Sequence, residues 1–276
     1  MTGPLTEEQL IQYNEDGFLM RRSLFDDVEI RQLRNSAKAD QAMSVHAFAR
    51  SDGEGGSVKL ALWNHPDDRI YGLFARCRRM VDTAEQILCD EPYHYHTKMI
   101  MKDAVTGGAW AWHQDYGYWY HNGMLSPNVV SVFIAVDPAT RENGCLQVVR
   151  GSHRLGRIDH VKVDDQVGAD RDRVEQILKR HELIYAEMEP GDAVFFHGNL
   201  LHRSDQNHST NPRWSMVCCY NARSNSPYCE GAHPQYTPLQ RVEDSAIRDA
   251  DPTQTISDDS MDWHSGREST AENLAN

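Results

Sequence analysis

The chain has 276 residues and a formal charge of −13, with 41 acidic against 28 basic side chains; this argues against nucleic acid and anionic membranes as partners, since both are bound by clustered Lys and Arg. No apolar run is long enough for a membrane span and the N-terminus lacks the basic and apolar regions of a signal peptide, so a cytoplasmic protein is expected. The six cysteines carry no CxxC spacing, and reduced, mostly buried thiols are expected rather than a disulfide framework or a zinc site.

In chain order, Thr6-Glu7-Glu8-Gln9 is a capping box that predicts a helix to about Asn14, ended by Asp16-Gly17. Phe18 to Met20 reads as a short strand. Asp26-Asp27 opens a second helix whose Val28, Ile30, Leu33 and Ala37 suit one packed face. Ser51 to Ser57 is Gly-rich and charged, a flexible loop placed to cover the mouth of a site. Ile70 to Cys89 reads as one helix by the spacing of Leu73, Val81, Ala84, Ile87 and Leu88, with Arg76, Arg78 and Arg79 as a solvated face.

From His94 the pattern changes to strands: Tyr95–Met101, Ala109–Asp115, Val129–Val136, Cys145–Arg150, Ile184–Glu187, Ala193–Phe196 and Arg213–Tyr220, interrupted by a helix at about Asp170–Arg180. Short strands joined by Gly, Pro and Asn turns predict a sandwich or barrel. Residues 1–243 are read as one domain with its core at about 94–221, and the polar, acidic 244–276 as a flexible tail.

Chemistry concentrates in Gly108 to Tyr120. On an extended strand His113 and Asp115 leave the same face, while Trp112 and Gln114 leave the other. One imidazole and one carboxylate make two thirds of the 2-His-1-carboxylate triad that holds non-haem iron(II) with open coordination positions. His65-Pro66-Asp67 has the same spacing but reads as a turn, because Pro66 cannot donate to a sheet ladder. A third ligand must come from elsewhere, and Gly191 to Ser204 offers His197 and His202, with His208 in the polar turn that follows.

Trp112-His113-Gln114-Asp115, then Glu142 to Leu146, Gly151-Ser152-His153, Gly191-Asp192, His202 and Arg213 stand in an order that resembles the phytanoyl-CoA dioxygenase family of Fe(II)/2-oxoglutarate oxygenases, from about Glu15 to Tyr220. The resemblance implies a mainly β fold with flanking α, a double-stranded β-helix (jelly roll, cupin-like) buttressed by N-terminal helices. It implies Fe(II) on His113, Asp115 and His202, with 2-oxoglutarate and O2 as cosubstrates. Arg213 stands at the family's spacing from the second metal histidine, where its arginine binds the distal carboxylate of 2-oxoglutarate; this selects His202 over His197 and His208. Ser215 shares Arg213's strand face, and a guanidinium fork with a hydroxyl beside it can clamp a carboxylate. Ser204 and Lys102 are further cosubstrate candidates. Asp115, where related halogenases carry a small residue, implies hydroxylation.

Trp119 matches a tryptophan of the ectoine hydroxylases in this family, and Tyr116, Tyr118 and Gln114 join it as expected substrate contacts. An aromatic wall in an acidic protein suits an ammonium group. The expected substrate is therefore a small amino-bearing or zwitterionic metabolite, for example an aminophosphonate such as 2-aminoethylphosphonate, with ectoine-type or acyl-CoA hydroxylation as alternatives. Arg141, Arg154 and Arg157 are candidates for an anionic head. A non-oxygenase cupin-like metal-binding protein is the alternative class, and monomer or homodimer is left open.

Overall fold

Alternation along the long strands sorts apolar side chains onto two sides of a sheet, and the computed structural model, which describes residues 4–163, 166–251 and 262–263, has that sheet at its centre. The strands are β1 (Phe18–Arg21), β2 (Phe48–Ser51), β3 (Ser57–Trp63), β4 (Pro92–Lys102), β5 (Trp110–His113), β6 (Val129–Ala135), β7 (Leu146–Val149), β8 (His160–Val163), β9 (Gln166–Ala169), β10 (Leu183–Ala186), β11 (Ala193–His197), β12 (His202–Ser204) and β13 (Arg213–Ala222). The helices are α1 (Glu7–Asp16), α2 (Asp27–Ala39), α3 (Gln41–Val45), α4 (Ile70–Arg76), α5 (Arg78–Leu88), α6 (Asp115–Trp119), α7 (Arg171–Leu178) and α8 (Ala246–Asp249). None of these helices is long and apolar enough to cross a membrane.

Seven strands form one antiparallel sheet in the order β1-β11-β6-β13-β4-β3-β2, and four form a second in the order β10-β7-β12-β5. Val130, Val132 and Ile134 of β6 and Met216, Cys218 and Tyr220 of β13 face the helices, packing with Leu33, Phe74, Val81 and Ala84. Their neighbours Phe133, Ala135, Val217 and Cys219 face inward and meet Leu146, Val148 and Ala186 of the second sheet. A third cluster lets α7 cover the outside of the smaller sheet through Val174 and Ile177. Two sheets face to face, with α7 outside the smaller and the N-terminal helices outside the larger, make the expected jelly roll.

Local rules set the start of the chain. Thr6 and Gln9 close the capping box of α1, and Gly17 ends that helix at φ 82°, a left-handed conformation that costs glycine nothing. Asp26 and Glu29 close a second box on α2. Ile30, Leu33 and Ala37 are buried as expected, but Val28 is exposed.

The single helix expected over 70–89 is two. Cys77 is extended (φ −64°, ψ 148°) because Val242 pairs with the backbone on either side of it, accepting from the Arg78 amide and donating to the Arg76 carbonyl. The break resets the helical phase, so the arginines are not a solvated face. Arg76 bonds the Asp67 carbonyl and Asp68, and Arg79 pairs with the buried Glu29 at 2.5 Å; only Arg78 is half-exposed.

Residues 51–57 are likewise not a free loop. They close the β2-β3 hairpin, and Asp52 pins the turn: its Oδ1 accepts from the Glu54 and Gly56 amides, its Oδ2 from the Ala109 amide and the Gln206 side chain. Gly56 and Gly108 let the two backbones meet, since a Cβ on Gly108 would stand 2.6 Å from the Ser57 nitrogen. Past Asp244, where a loose tail was expected, Ile247 of α8 is buried and Trp263 stacks on His46; residues 252–261 and 264–276 of that tail lie outside the described residues. All six cysteines are free, Cys89 and Cys229 exposed and the others buried.

Candidate active site

β5 and β12 lie side by side in the smaller sheet with His113 opposite His202, so the register alone brings the two imidazoles together, ring centroids 4.0 Å apart. The strand does not carry Asp115. It ends at His113, and Asp115 opens the short helix α6, which turns the carboxylate back to within 4.0 Å of His113 Nε2. Donor atoms of His113, Asp115 and His202 lie within 4.8 Å of one another, and all three residues are buried.

The hydrogen bonds around the cluster fix its protonation and fit a metal. His113 Nδ1 lies 2.8 Å from the Ala111 carbonyl and His202 Nδ1 2.9 Å from the Leu200 carbonyl. A carbonyl can only accept, so each Nδ1 carries the proton and each Nε2 presents a lone pair to the cluster. Burial, with the neighbouring imidazole adding to it for His113, pushes both pKa values below the ordinary histidine range and keeps the rings neutral, as ligation requires.

Ser131, in the middle of β6, donates to Asp115 Oδ2 at 2.5 Å and leaves Oδ1 turned toward the imidazoles. The sequence reading overlooked it, although a lone hydroxyl in the run Val-Val-Ser-Val-Phe-Ile-Ala was a signal. Ser131→Ala is expected to weaken Fe(II) affinity by roughly 10–100-fold, the usual cost of losing an outer partner of a ligand. Anaerobic Fe(II) titration of the variant measures this, and an unchanged affinity would remove the orienting role.

Beside the cluster is an apolar pocket of about 530 Å³ counted out to open solvent, walled by Ile100, Phe133, Leu146 and Phe196, with His113 and His202 in its lining and Ser204 and Arg213 among its polar groups. Arg213 is 1 % exposed; it donates to Ser215 Oγ at 2.8 Å, lies over the Phe133 ring, and its Nε has no partner among the described residues. Desolvation lowers its pKa to about 10, so it remains a cation at neutral pH. A buried guanidinium with an idle donor at the end of an apolar pocket is the complement of a carboxylate.

Lys102 does not line this pocket. It sits opposite Arg213 in the β4–β13 ladder, fully buried, and donates to the Asp205 carbonyl; burial and then the adjacent Arg213 hold its pKa well below the ordinary lysine range. That placement corrects its assignment to the cosubstrate. Ser204 is in the pocket lining, and Ser215 accepts from Arg213.

A second pocket, about 840 Å³ counted out to open solvent, meets the cluster at His113 and Asp115 and shares Leu60, Lys98, Trp110 and His113 with the first. Tyr118 and Trp119 line it together with Phe48, Trp110 and His96. Trp119 stands edge-on to His96 and Tyr95, and Tyr118 donates to the Val167 carbonyl at 2.5 Å. Two expected substrate contacts are elsewhere. Gln114 is fully buried, its amide donating to the Gly156 and Asn199 carbonyls and accepting from the Ile158 amide, and Tyr116 packs in the inter-sheet core with its hydroxyl toward the Met124 carbonyl. α6 winds by about 100° per residue, so neighbours that a strand would alternate point in several directions.

Arg141, Arg154 and Arg157 bond Glu187, the Asn14 carbonyl and Asp159, outside the pocket. The basic residues that do line it are Arg50 of β2 and Lys98 of β4. His233, from the segment after β13, completes the wall, its ring tilted against His96 with centroids 4.6 Å apart and its Nδ1 meeting Asn64 Oδ1 at 2.8 Å. His197 and His208 stay out of the cluster, the first bonding the Asn199 amide and the second exposed.

L-proline trans-4-hydroxylase of Streptomyces griseoviridis is 28% identical over 261 residues, covering 89% of this chain and 95% of that protein. Ectoine dioxygenase of Halomonas elongata is 28% identical over 238 residues, covering 81% and 72%. In fold the chain is similar to EctD from S. alaskensis with bound Fe, at a TM-score of 0.74 and 22% identity over 87% of this chain and 88% of that one. The model described as phytanoyl-CoA dioxygenase (PhyH) matches residues 13–215, a span that includes the clustered His113, Asp115 and His202 and the buried Arg213: the chain belongs to the phytanoyl-CoA dioxygenase family and is a dioxygenase dependent on iron and 2-oxoglutarate.

Proposed function

We propose that the protein hydroxylates an unactivated C–H bond of a small amino-bearing or zwitterionic metabolite, with His113, Asp115 and His202 holding Fe(II) and Arg213 holding 2-oxoglutarate. The observation that carries this reading is the pair of pockets meeting at one cluster, the first with Arg213 in its lining and the second enclosed by aromatic and imidazole rings. Iron with 2-oxoglutarate and O2 supplies the oxidising chemistry, one oxygen atom entering the substrate C–H bond and the other entering succinate as CO2 leaves.

The chain's own residues bind and orient. Arg213, supported by Ser215 and beside Ser204, grips the far carboxylate of the cosubstrate, and the apolar walls around it exclude water from the other end. The Nδ1–H bonds of both histidines hold their rings in place, and Ser131 holds the Asp115 carboxylate. Trp119 and Tyr118 present rigid faces to the substrate, and a ring face is worth about 1–2 kcal/mol to a desolvated ammonium.

The relatives named for L-proline and ectoine hydroxylation support a small ring- or chain-bearing zwitterion, and 2-aminoethylphosphonate is a further candidate of that chemistry. Succinate formation with Fe(II) and 2-oxoglutarate against L-proline, ectoine, 2-aminoethylphosphonate, glycine betaine and an acyl-CoA tests the reading. Stimulation by one or more of the small zwitterions is expected; stimulation by the thioester alone overturns it.

A further inference from the structure

We infer that Lys98 is a specificity-determining residue: it anchors an anionic group, carboxylate or phosphonate, of the substrate beside the metal cluster, so that the C–H bond attacked lies within a few bonds of that anion. The inference rests on the hydroxylase reading above and deepens it.

Among the described residues Lys98 is the one lysine or arginine that lines both pockets. Its strand fixes it there: on β4 the half-buried Lys98 and Ile100 point to the pockets, while Met99 and Met101 between them pack against the helices. Its ammonium makes no hydrogen bond among the described residues, and its nearest ionic partner is Asp115 Oδ1 at 4.0 Å, the oxygen turned toward the imidazoles. An oxygen that ligates iron is a poor counter-ion for a second cation, so Lys98 is left with three donors and an open cavity.

The charges of the substrate pocket agree. Among its described lining residues Asp115 is the one carboxylate. With that carboxylate committed to the metal, Lys98 is left to meet a negative charge on the substrate. A carboxylate or phosphonate on the substrate supplies the missing negative charge, and because Lys98 reaches to within 4.0 Å of Asp115, the anion it holds sits at the cluster end of the pocket. The aromatic and imidazole wall of Trp119, His96 and His233 is left for the rest of the molecule.

The test compares acid and uncharged-acid partners: L-proline against L-prolinamide, glycine betaine against choline, with 2-aminoethylphosphonate as a third anion. For the wild type, the anionic members are expected to stimulate succinate formation and to raise the thermal midpoint of the iron-free protein, and the amide and alcohol are not. Lys98→Met should raise the KM of the best anionic substrate by roughly tenfold to 100-fold, as expected for losing one charged hydrogen bond, with the KM for 2-oxoglutarate little changed; Lys98→Arg should recover most of the loss. The new hydroxyl should lie close to the anion in the product.

Equal response to the amide or to choline, no response to any of the anions, or an effect of Lys98→Met that falls on the KM for 2-oxoglutarate instead overturns the inference. The slow background conversion of 2-oxoglutarate without substrate separates the two readings. If it occurs and depends on Arg213 while the anions fail, the inference falls and the oxygenase stands; if the thioester alone stimulates succinate formation, the small-metabolite reading falls first.

Discussion

Arg213→Gln will raise the KM for 2-oxoglutarate by roughly 30-fold to several thousand-fold, the range that corresponds to about 2–5 kcal/mol for truncating one partner of a buried, hydrogen-bonded charge pair. The same change should leave the ligand-free protein as stable as before, or more so. Arg213 is 1 % exposed, its Nε lacks a partner among the described residues and Lys102 stands opposite it, so without an anion the site carries an unrelieved desolvation cost. Glutamine removes that cost together with the binding. Opposite signs for thermal midpoint and cosubstrate affinity are the signature of a residue retained for its ligand. A fall in midpoint with an unchanged KM would instead make Arg213 a structural residue. Arg213→Lys should fall between the two, because an ammonium keeps the charge and loses the planar fork.

His202→Ala and Asp115→Ala will each reduce activity to background, and by more than the roughly 10–100-fold that losing an outer partner costs. Each removes one of three donors that lie within 4.8 Å of one another, and two remaining side chains leave a hard-to-dehydrate ion without a facial set. His197→Ala is the control, since His197 lies outside the cluster and bonds the Asn199 amide. Anaerobic titration should show stoichiometric Fe(II) in the His197 variant and none in the other two. Retention of iron in His202→Ala, or its loss in His197→Ala, would reassign the third ligand.

The sequence made the chemistry of this site legible where it follows from local spacing. Alternation on β13 sends Arg213 and Ser215 inward while Trp214 packs toward the helices, as a period of two demands. The convergence of His113 and Asp115 was anticipated for a reason that does not hold. Their shared direction comes from a strand ending at His113 and a helix beginning at Asp115, and the same turn carries Gln114 and Tyr116 away from the pocket.

What stayed hidden depends on partners distant in the chain. The break at Cys77 is made by Val242, more than a helix-length of sequence away, and no local periodicity records it. The β2-β3 hairpin looked like loose chain because its order comes from Asp52 reaching Ala109 and Gln206. Arg50, which lines the substrate pocket from β2, was missed for that reason. Lys98 was visible as a residue on a strand, but whether a lysine on an otherwise apolar strand meets solvent or a cavity is decided by the neighbouring strand, β3, which had not been anticipated.

Asp52 has a bearing on how such a protein can change its diet. One carboxylate fastens the turn of the substrate-side hairpin to the residue just before β5 and to the stretch just beyond β12, the two strands that carry the metal histidines. The scaffold around the iron and the scaffold around the substrate are thereby riveted into one frame. Side chains on β2 can then be exchanged for others, retuning what the cavity accepts, while the distance from that wall to the oxidising centre is inherited unchanged.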